Sequence, residues 1–244
     1  MSIGEVHTQR IVPNGLIELI FYLDKKPVST DNSKPITETS TLTGHLREYY
    51  DIKVSGKLSL FSIIFKPYGL SAFLNIPCNE FYNQNVPLRF ILKSSVEPLE
   101  DKLYEANSFS QRVSVVESFL LEILKKRSTD YHLKRIENSF RIIDGSNGEI
   151  GIDALASQAC FSRKQFERTF TQLVGSTPKK LLKTVRFQRA IHLKSKMKDV
   201  TLTELAYLCG YYDQSHMTND FYKLSGLTPK DFFNGCESFS DYFN

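Results

Sequence analysis

No apolar run in the sequence approaches the roughly 18 residues a helix needs to cross a bilayer. The N-terminus, MSIGEVHTQR, lacks the apolar stretch of a secretory signal. Neither a membrane anchor nor export is expected, and a cytoplasmic setting is. Cysteine is scarce: residues 78, 160, 209 and 236 are the four, and no two form a Cys-x-x-Cys pair. That spacing argues against structural zinc, dithiol chemistry and a disulfide framework. Catalytic signatures are missing as well. There is no G-x-S-x-G, no P-loop and no H-x-H metal pair, and His7, His45 and His132 stand isolated. The expectation is a protein that is not an enzyme, with no cofactor and no metal.

Acidic residues almost vanish in one place. Between Arg163 and Lys198 the chain has eleven Lys/Arg and only Glu167 to oppose them. From Asp199 to Asp231 the balance reverses, with five acids against Lys223 and Lys230. Residues 1–148 are nearly neutral, with 18 basic and 17 acidic side chains. A charge run of this kind is either a solvated helix face or the electrostatic footprint of a polyanion. At 244 residues and 41% apolar composition, the chain is long enough for two ordinary domains.

The C-terminal half repeats itself. LASQACFSRKQFERTF (155–170) is followed at an offset of 50, and beyond the turn 51, by LAYLCGYYDQSHMTNDF (205–221); GSTPK (175–179) is matched by GLTPK (226–230). Each copy reads as helix, tight turn, helix. Ser162 with Gln165, and Thr201 with Glu204, predict capping boxes. Asp213 is a cap, Gly175 and Gly226 end helices, and Thr177-Pro178 and Thr228-Pro229 start new ones. Phe166, Phe170 and Leu173 fall on one face, as do Met217, Phe221 and Leu224. Ala156 and Ala206 are small where two short helices cross. That is the grammar of a helix-turn-helix, written twice. Pro178 to about Lys196 reads as a continuous linking helix of roughly 28 Å.

The words A-x-x-C-G-Y-Y-D-Q-S-H, F-x-x-x-x-G-x-T-P and R-F-x-x-A within residues 150–234 resemble the DNA-binding domain of the AraC family of bacterial transcription regulators. RIVPNGLIELIFYL, TGHL and FKPYGLSAFLNIPCNEFYNQNVPL resemble an uncharacterised N-terminal domain found in a subset of AraC-like proteins, which usually has about twenty more residues in front. The first strands or an entry segment are therefore expected to be missing. The resemblance implies an α+β N-terminal sensor or dimerisation domain at 1–145. An all-α DNA-binding domain at 149–235 follows, with two helix-turn-helix subdomains joined by the long helix, and then a tail at 236–244. It implies a nucleoid-associated activator that binds double-stranded DNA, with RNA polymerase, a small-molecule effector and a second copy as further partners.

On the first recognition helix, Arg168 fits guanine, and Lys164 and Glu167 are the other base readers; Glu167 can equally be an intrahelical partner of a nearby base. Gln214, Ser215, His216, Thr218 and Asn219 are the corresponding readers in the second copy. Arg163, Lys179, Lys180 and Lys183 are the expected phosphate contacts. Four positions depart from the family pattern: Asn219 stands where Arg or Lys is usual, Met217 where Phe or Leu is usual, Cys160 where Gly is favoured, and Gly151 where a Ser/Thr cap is usual. Cys160 and Cys209, in matching turns, read as buried small hydrophobes. The poor charge of copy two leaves a second reading open, a degenerate helix-turn-helix acting mainly through protein contacts. The N-terminal half offers strands at 15–23 and 57–65 and helices at 95–106, 110–127 and 130–144, with Gly145 to Gly148 as an interdomain linker.

Overall fold

A computed structural model describes residues 6–127, 131–146 and 148–235. The expected tail at 236–244 lies outside the described residues.

Seven strands make two antiparallel sheets. The smaller has β1 (Val6–Ile11), β5 (Tyr50–Ser55) and β3 (Val28–Ser29), in the order β1-β5-β3. The larger has β2 (Ile17–Tyr22), β4 (Ser40–Thr43), β6 (Leu60–Phe65) and β7 (Asn85–Pro87), in the order β6-β2-β4-β7. Alternation along β2 divides its side chains between two environments. Ile17, Leu19 and Phe21 enter a core with Leu42, Phe61 and Phe65. Glu18, Ile20 and Tyr22 line a cavity of about 280 Å³ shared with Tyr50 and Ile52 of the smaller sheet. The first core is closed by helices: α1 (Leu88–Leu92), α2 (Val96–Glu105) and α3 (Phe109–Lys125), from which Leu88, Leu99, Leu103 and Val116 are buried. α3 starts at Ser108, whose Oγ accepts the Gln111 amide.

The next helix, α4 (Tyr131–Gly145), matches its expected span but not its expected company. Its Ile136, Phe140 and Ile143 share one apolar cluster with Leu155, Phe166, Phe170 and Val185. Phe140 stacks on Phe170 with ring centres 5.6 Å apart. Gly145, expected to begin an interdomain linker, closes α4, and α4 packs in the same apolar cluster as the helices that follow it. Gly148 adopts a φ of +78°, and a Cβ there would lie 3.3 Å from Val185.

Six more helices follow among the described residues: α5 (Ile152–Gln158), α6 (Arg163–Val174), α7 (Pro178–Lys196), α8 (Leu202–Leu208), α9 (Gln214–Ser225) and α10 (Pro229–Gly235). Phe187, Ala190, Leu205, Ala206, Met217, Phe221 and Phe232 build the second helical core. The repeated unit is three helices long. α4 stands to α5–α6 as α7 stands to α8–α9, and Arg135-Ile136 precedes Arg186-Phe187 by the same 51 residues.

The β-rich half grips both units. At the first, Cys78 lies against Gly175, and Tyr68 meets Phe140 at 5.1 Å. At the second, Val12 joins the apolar core, Gln188 Nε2 donates to the Pro13 carbonyl at 2.8 Å, and Arg10 Nη1 donates to the Ser225 carbonyl at 2.9 Å. Arg10 is held for this by Asp51, at 2.8 and 3.0 Å, and lies over the Tyr49 ring.

Candidate nucleic-acid interface

Each recognition helix is started by its own side chain. Ser162 Oγ accepts the Gln165 amide at 3.3 Å, opening α6; Asp213 Oδ1 accepts the His216 amide at 2.7 Å, opening α9. The reciprocal half of a capping box forms at Thr201–Glu204 but is not seen at Ser162, where the side-chain bond runs one way. Gly175 and Gly226 end α6 and α9 in the left-handed region, at φ +92° and +73°. The crossing points are as tight as their alanines suggest: Ala156 and Ala206 are fully buried.

The turns differ. Gly210 takes φ +72°, and its counterpart Cys160 takes +53° with a side chain attached. A left-handed backbone costs a non-glycine residue about 1 kcal/mol, which explains physically why glycine is favoured there. Cys160 is exposed, so its expected burial is corrected. Its turn conformation turns the thiol outward, whereas Cys209 is buried and its thiol is pushed up to about 12 by desolvation.

An arginine from the helix preceding each pair braces each turn. Arg135 Nε donates to the Ala159 carbonyl at 2.7 Å, its Nη2 donates to the Cys160 carbonyl, and its guanidinium lies 3.4 Å over the Phe161 ring. Arg186 sits over Tyr211 at 5.5 Å. Arg186 opens the R-F-x-x-A word of the resemblance, whereas Arg135 carries no such signal beyond their shared offset of 51.

With Phe166, Thr169, Phe170 and Val174 buried, α6 turns Lys164 and Arg168 outward, and neither has an ion-pair partner among the described residues. Arg163 is committed to neighbours: it pairs with Asp153 at 2.9 Å and reaches Glu167 at 3.4 Å. Glu167 therefore sits beside Arg163 as an intrahelical partner. On α9, Met217, Asp220, Phe221 and Leu224 face inward. Ser215 and Asn219 are exposed. Gln214 Oε1 accepts from the Thr203 hydroxyl at 2.9 Å, and the Thr218 hydroxyl donates to the Gln214 carbonyl. His216 packs edge-on against Tyr211, 5.2 Å away.

The four expected phosphate contacts do not form one surface. Lys179 is exposed. Lys180 turns toward the β-rich half, its ammonium 4.3 Å over the Tyr82 ring. Lys183 makes a 2.9 Å ion pair with Asp220, whose side chain is 9% exposed. A lysine neutralised by a buried carboxylate is a poor phosphate ligand, so Lys183 is spent within the fold, whereas Lys180 stays exposed and without an ion-pair partner among the described residues. The reason is that α7 is packed on several sides. Leu181, Leu182, Val185, Phe187 and Ala190 are buried. Arg186 and Arg189 are half-buried, and Lys194 donates to the Lys198 and Val200 carbonyls. The basic run is a solvated strip at its two ends and an interior scaffold in its middle.

No group of three or more His, Cys, Asp or Glu among the described residues is arranged to hold a metal ion. No described helix is long and apolar enough to cross a membrane.

Comparison with known proteins agrees with this geometry. Residues 155–235 match the family model described as a helix-turn-helix domain, and residues 2–87 match one described as a domain of unknown function, DUF6597. The chain is 28% identical over 125 residues to the HTH-type transcriptional activator RhaS of Shigella boydii, and equally to RhaS of Escherichia coli. The match takes in 49% of this chain and 45% of those relatives, so it spans less than half of their length. The fold as a whole is similar to that of ToxT from Vibrio cholerae, with a TM-score of 0.50 at 10% identity over 96% of this chain and 98% of ToxT. Residues 155–235 therefore carry an AraC-type helix-turn-helix domain, and residues 2–87 ahead of it a domain whose function is unknown.

Proposed function

We propose that the protein binds double-stranded DNA sequence-specifically, with α6 and α9 as two recognition helices entering successive major grooves. The observation that carries this reading is the outer face of α6. Lys164 and Arg168 are exposed and without ion-pair partners among the described residues, on a helix whose opposite face is buried and mostly apolar and whose turn is braced by Arg135. An arginine fork matches guanine O6 and N7, while the amides of Asn219 and Gln214 suit adenine. α7 runs for 19 residues between the two heads, about 28 Å. Successive major grooves on one DNA face recur roughly every 34 Å. The first head supplies most of the electrostatic attraction, since Lys164, Arg168 and Lys179 are exposed there without ion-pair partners among the described residues, while copy two presents chiefly neutral side chains.

Binding-site selection from random duplexes, with wild type, Arg168→Ala and Asn219→Ala, tests this. The two variants are expected to relax base preference at positions about 10 base pairs apart. Relaxation confined to one half-site would sink the two-head reading. It would favour the rival in which the poorly charged second copy meets a protein, and then Asn219→Ala would lower promoter activation without changing DNA preference.

A further inference from the structure

A cavity of about 490 Å³ lies between the β-rich half and the helical half. One wall comes from the loop around His45 to Tyr49 together with Tyr82; the other comes from the start of α7 and the end of α9. Its charge is lopsided. Four cationic side chains line it: Arg47, Lys180, Lys183 and Lys223. Arg47 is paired with Glu48, and Lys183 with Asp220. Lys180 and Lys223 have no carboxylate partner among the described residues. Lys180 is offset only by the Tyr82 ring, 4.3 Å away, so the lining carries an excess of positive charge that a bound anion would offset.

The rest of the lining is equally specific. Tyr49, Tyr82 and Tyr222 give flat rings with polar tips, a lining suited to an aromatic body with a polar end. His45 also lines the cavity. It is 3% exposed, and its Nε2 makes no hydrogen bond. Burial pushes the ring down to about 4, with the Pro67 and Val174 carbonyls opposing, so near neutral pH it is an uncharged imidazole.

We infer that this cavity binds a small organic oxyanion attached to a flat ring, the oxyanion held by Lys180 and Lys223 and the ring by the tyrosines. The recognised chemistry is shared by aryl carboxylates and by phosphate monoesters of ring compounds. Such a ligand touches both halves at once, and it touches α7 at Lys180 and α9 at Lys223. It therefore ties the β-rich half to the elements that hold both recognition helices. This is a binding site in its own right and does not depend on the DNA reading.

Isothermal titration of the full chain, without DNA and at low salt, tests it with three probes: phenyl phosphate, benzoate and the neutral benzyl alcohol. At least one of the two oxyanions is expected to bind, at least tenfold more tightly than benzyl alcohol, and more weakly as salt is raised. Tighter binding of phenyl phosphate supports the phosphate form of the proposal, and tighter binding of benzoate the carboxylate form. Lys223→Gln, which alters an exposed side chain, and Lys180→Gln are each expected to weaken the oxyanion about tenfold, corresponding to loss of one charge-assisted contact. Melting curves of both variants establish that they are folded; if Lys180→Gln is not, Lys223→Gln alone decides. No heat from either oxyanion at about 10 mM, a hundred times weaker than the ~0.1 mM that two such contacts support, overturns the site. So does wild-type affinity in Lys223→Gln, or equal binding of benzyl alcohol. Because no DNA is present, failure here leaves the two-head reading standing, and failure of that reading leaves this one standing.

Discussion

Set side by side, the two helical units share a plan and differ in where their charge goes. In the first, the turn is strained at Cys160 and held by three contacts from Arg135, while Lys164 and Arg168 face solvent unpaired. In the second, the turn is relaxed at Gly210, and the acids are put to structural use: Asp213 caps α9 and Asp220 neutralises Lys183 from within. The apolar skeletons are nearly interchangeable, Phe166 and Phe170 answering Met217 and Phe221. Duplication preserves what a fold needs. The surface, which packing does not constrain, is free to diverge into a charged head and a neutral one.

The largest test of that equivalence is in the cores. Phe170 stacks on Phe140 and touches Phe166; Phe221 meets Phe187 at 4.8 Å, Phe232 and Phe233. Both are fully buried, so Phe170→Ala and Phe221→Ala should each cost about 3–5 kcal/mol in urea denaturation. A loss under ~1 kcal/mol in one of them would mean that the two skeletons are not equivalent.

Acid should separate the ways the units are docked. His45 sits where the first unit ends, near the Val174 carbonyl, and burial lowers it from 6.5 to about 4. Below pH 6.5 the unfolded chain takes up a proton that the folded protein refuses. Stability is therefore full above that pH and falls as pH drops toward 4, by about 3 kcal/mol in all. The second unit is docked through Arg10 and Gln188, which do not titrate in this window. Denaturation midpoints at pH 7, 5 and 4 for wild type and His45→Asn give the answer, with a shallower slope expected in the variant.

At the DNA, Arg168→Ala should cost about 1–3 kcal/mol and Asn219→Ala less, because no charge is removed. Equal losses in a filter-binding titration would erase the contrast between a charged and a neutral head. In the turns, Cys160→Gly should stabilise by about 1 kcal/mol. Gly210→Ala should destabilise, since a Cβ there would meet Glu149 Cγ at 2.3 Å. If thermal melts show both substitutions to be neutral, the strain assigned to the first turn is absent. The smallest effect is in the salt dependence. Lys179→Ala should lower the salt slope of DNA binding by about one, and Lys183→Ala should leave it unchanged because that charge is already satisfied by Asp220.

The duplicated half was legible because its punctuation is local. A cap such as Asp213, a left-handed glycine such as Gly226 and an i, i+4, i+7 apolar set are written within a dozen residues, and the structure places them where the pattern does. α4 was read as a helix yet assigned to the wrong neighbours, because its partners Leu155 and Phe166 lie beyond a glycine loop that reads like a linker. In the β-rich half, β2 and β6 were visible as apolar runs. β1 (VHTQRI) and β5 (YDIKVS) were not, for β1 shows no apolar alternation, its first four residues being exposed whatever their type, and the pairing is set by distant partners such as Val6 with Ser55. The site was half legible. Which side of α6 faces out follows from its period, but that Lys180 would meet Tyr82 and Lys183 would meet Asp220 depends on contacts separated by 98 and 37 residues.

The burial of α7 sets a rule for its length. Leu182 and Val185 belong to the first core and Phe187 and Ala190 to the second, so a single unbroken helix is keyed into two bodies at once. Each residue added or removed between those keys turns the second body by about 100° about the helix axis and moves it about 1.5 Å. Phase returns, to within about 20°, after seven residues, by which point the shift has grown to about 10 Å. Insertions and deletions in the middle of α7 are thus quantised: most shorter changes turn the second unit off its facing, and the shortest that restores it to within about 20° changes the reach between the units by about a third of a DNA turn. Natural or engineered relatives with altered spacing between half-sites would have to change the loops at the ends of this helix and leave its middle alone.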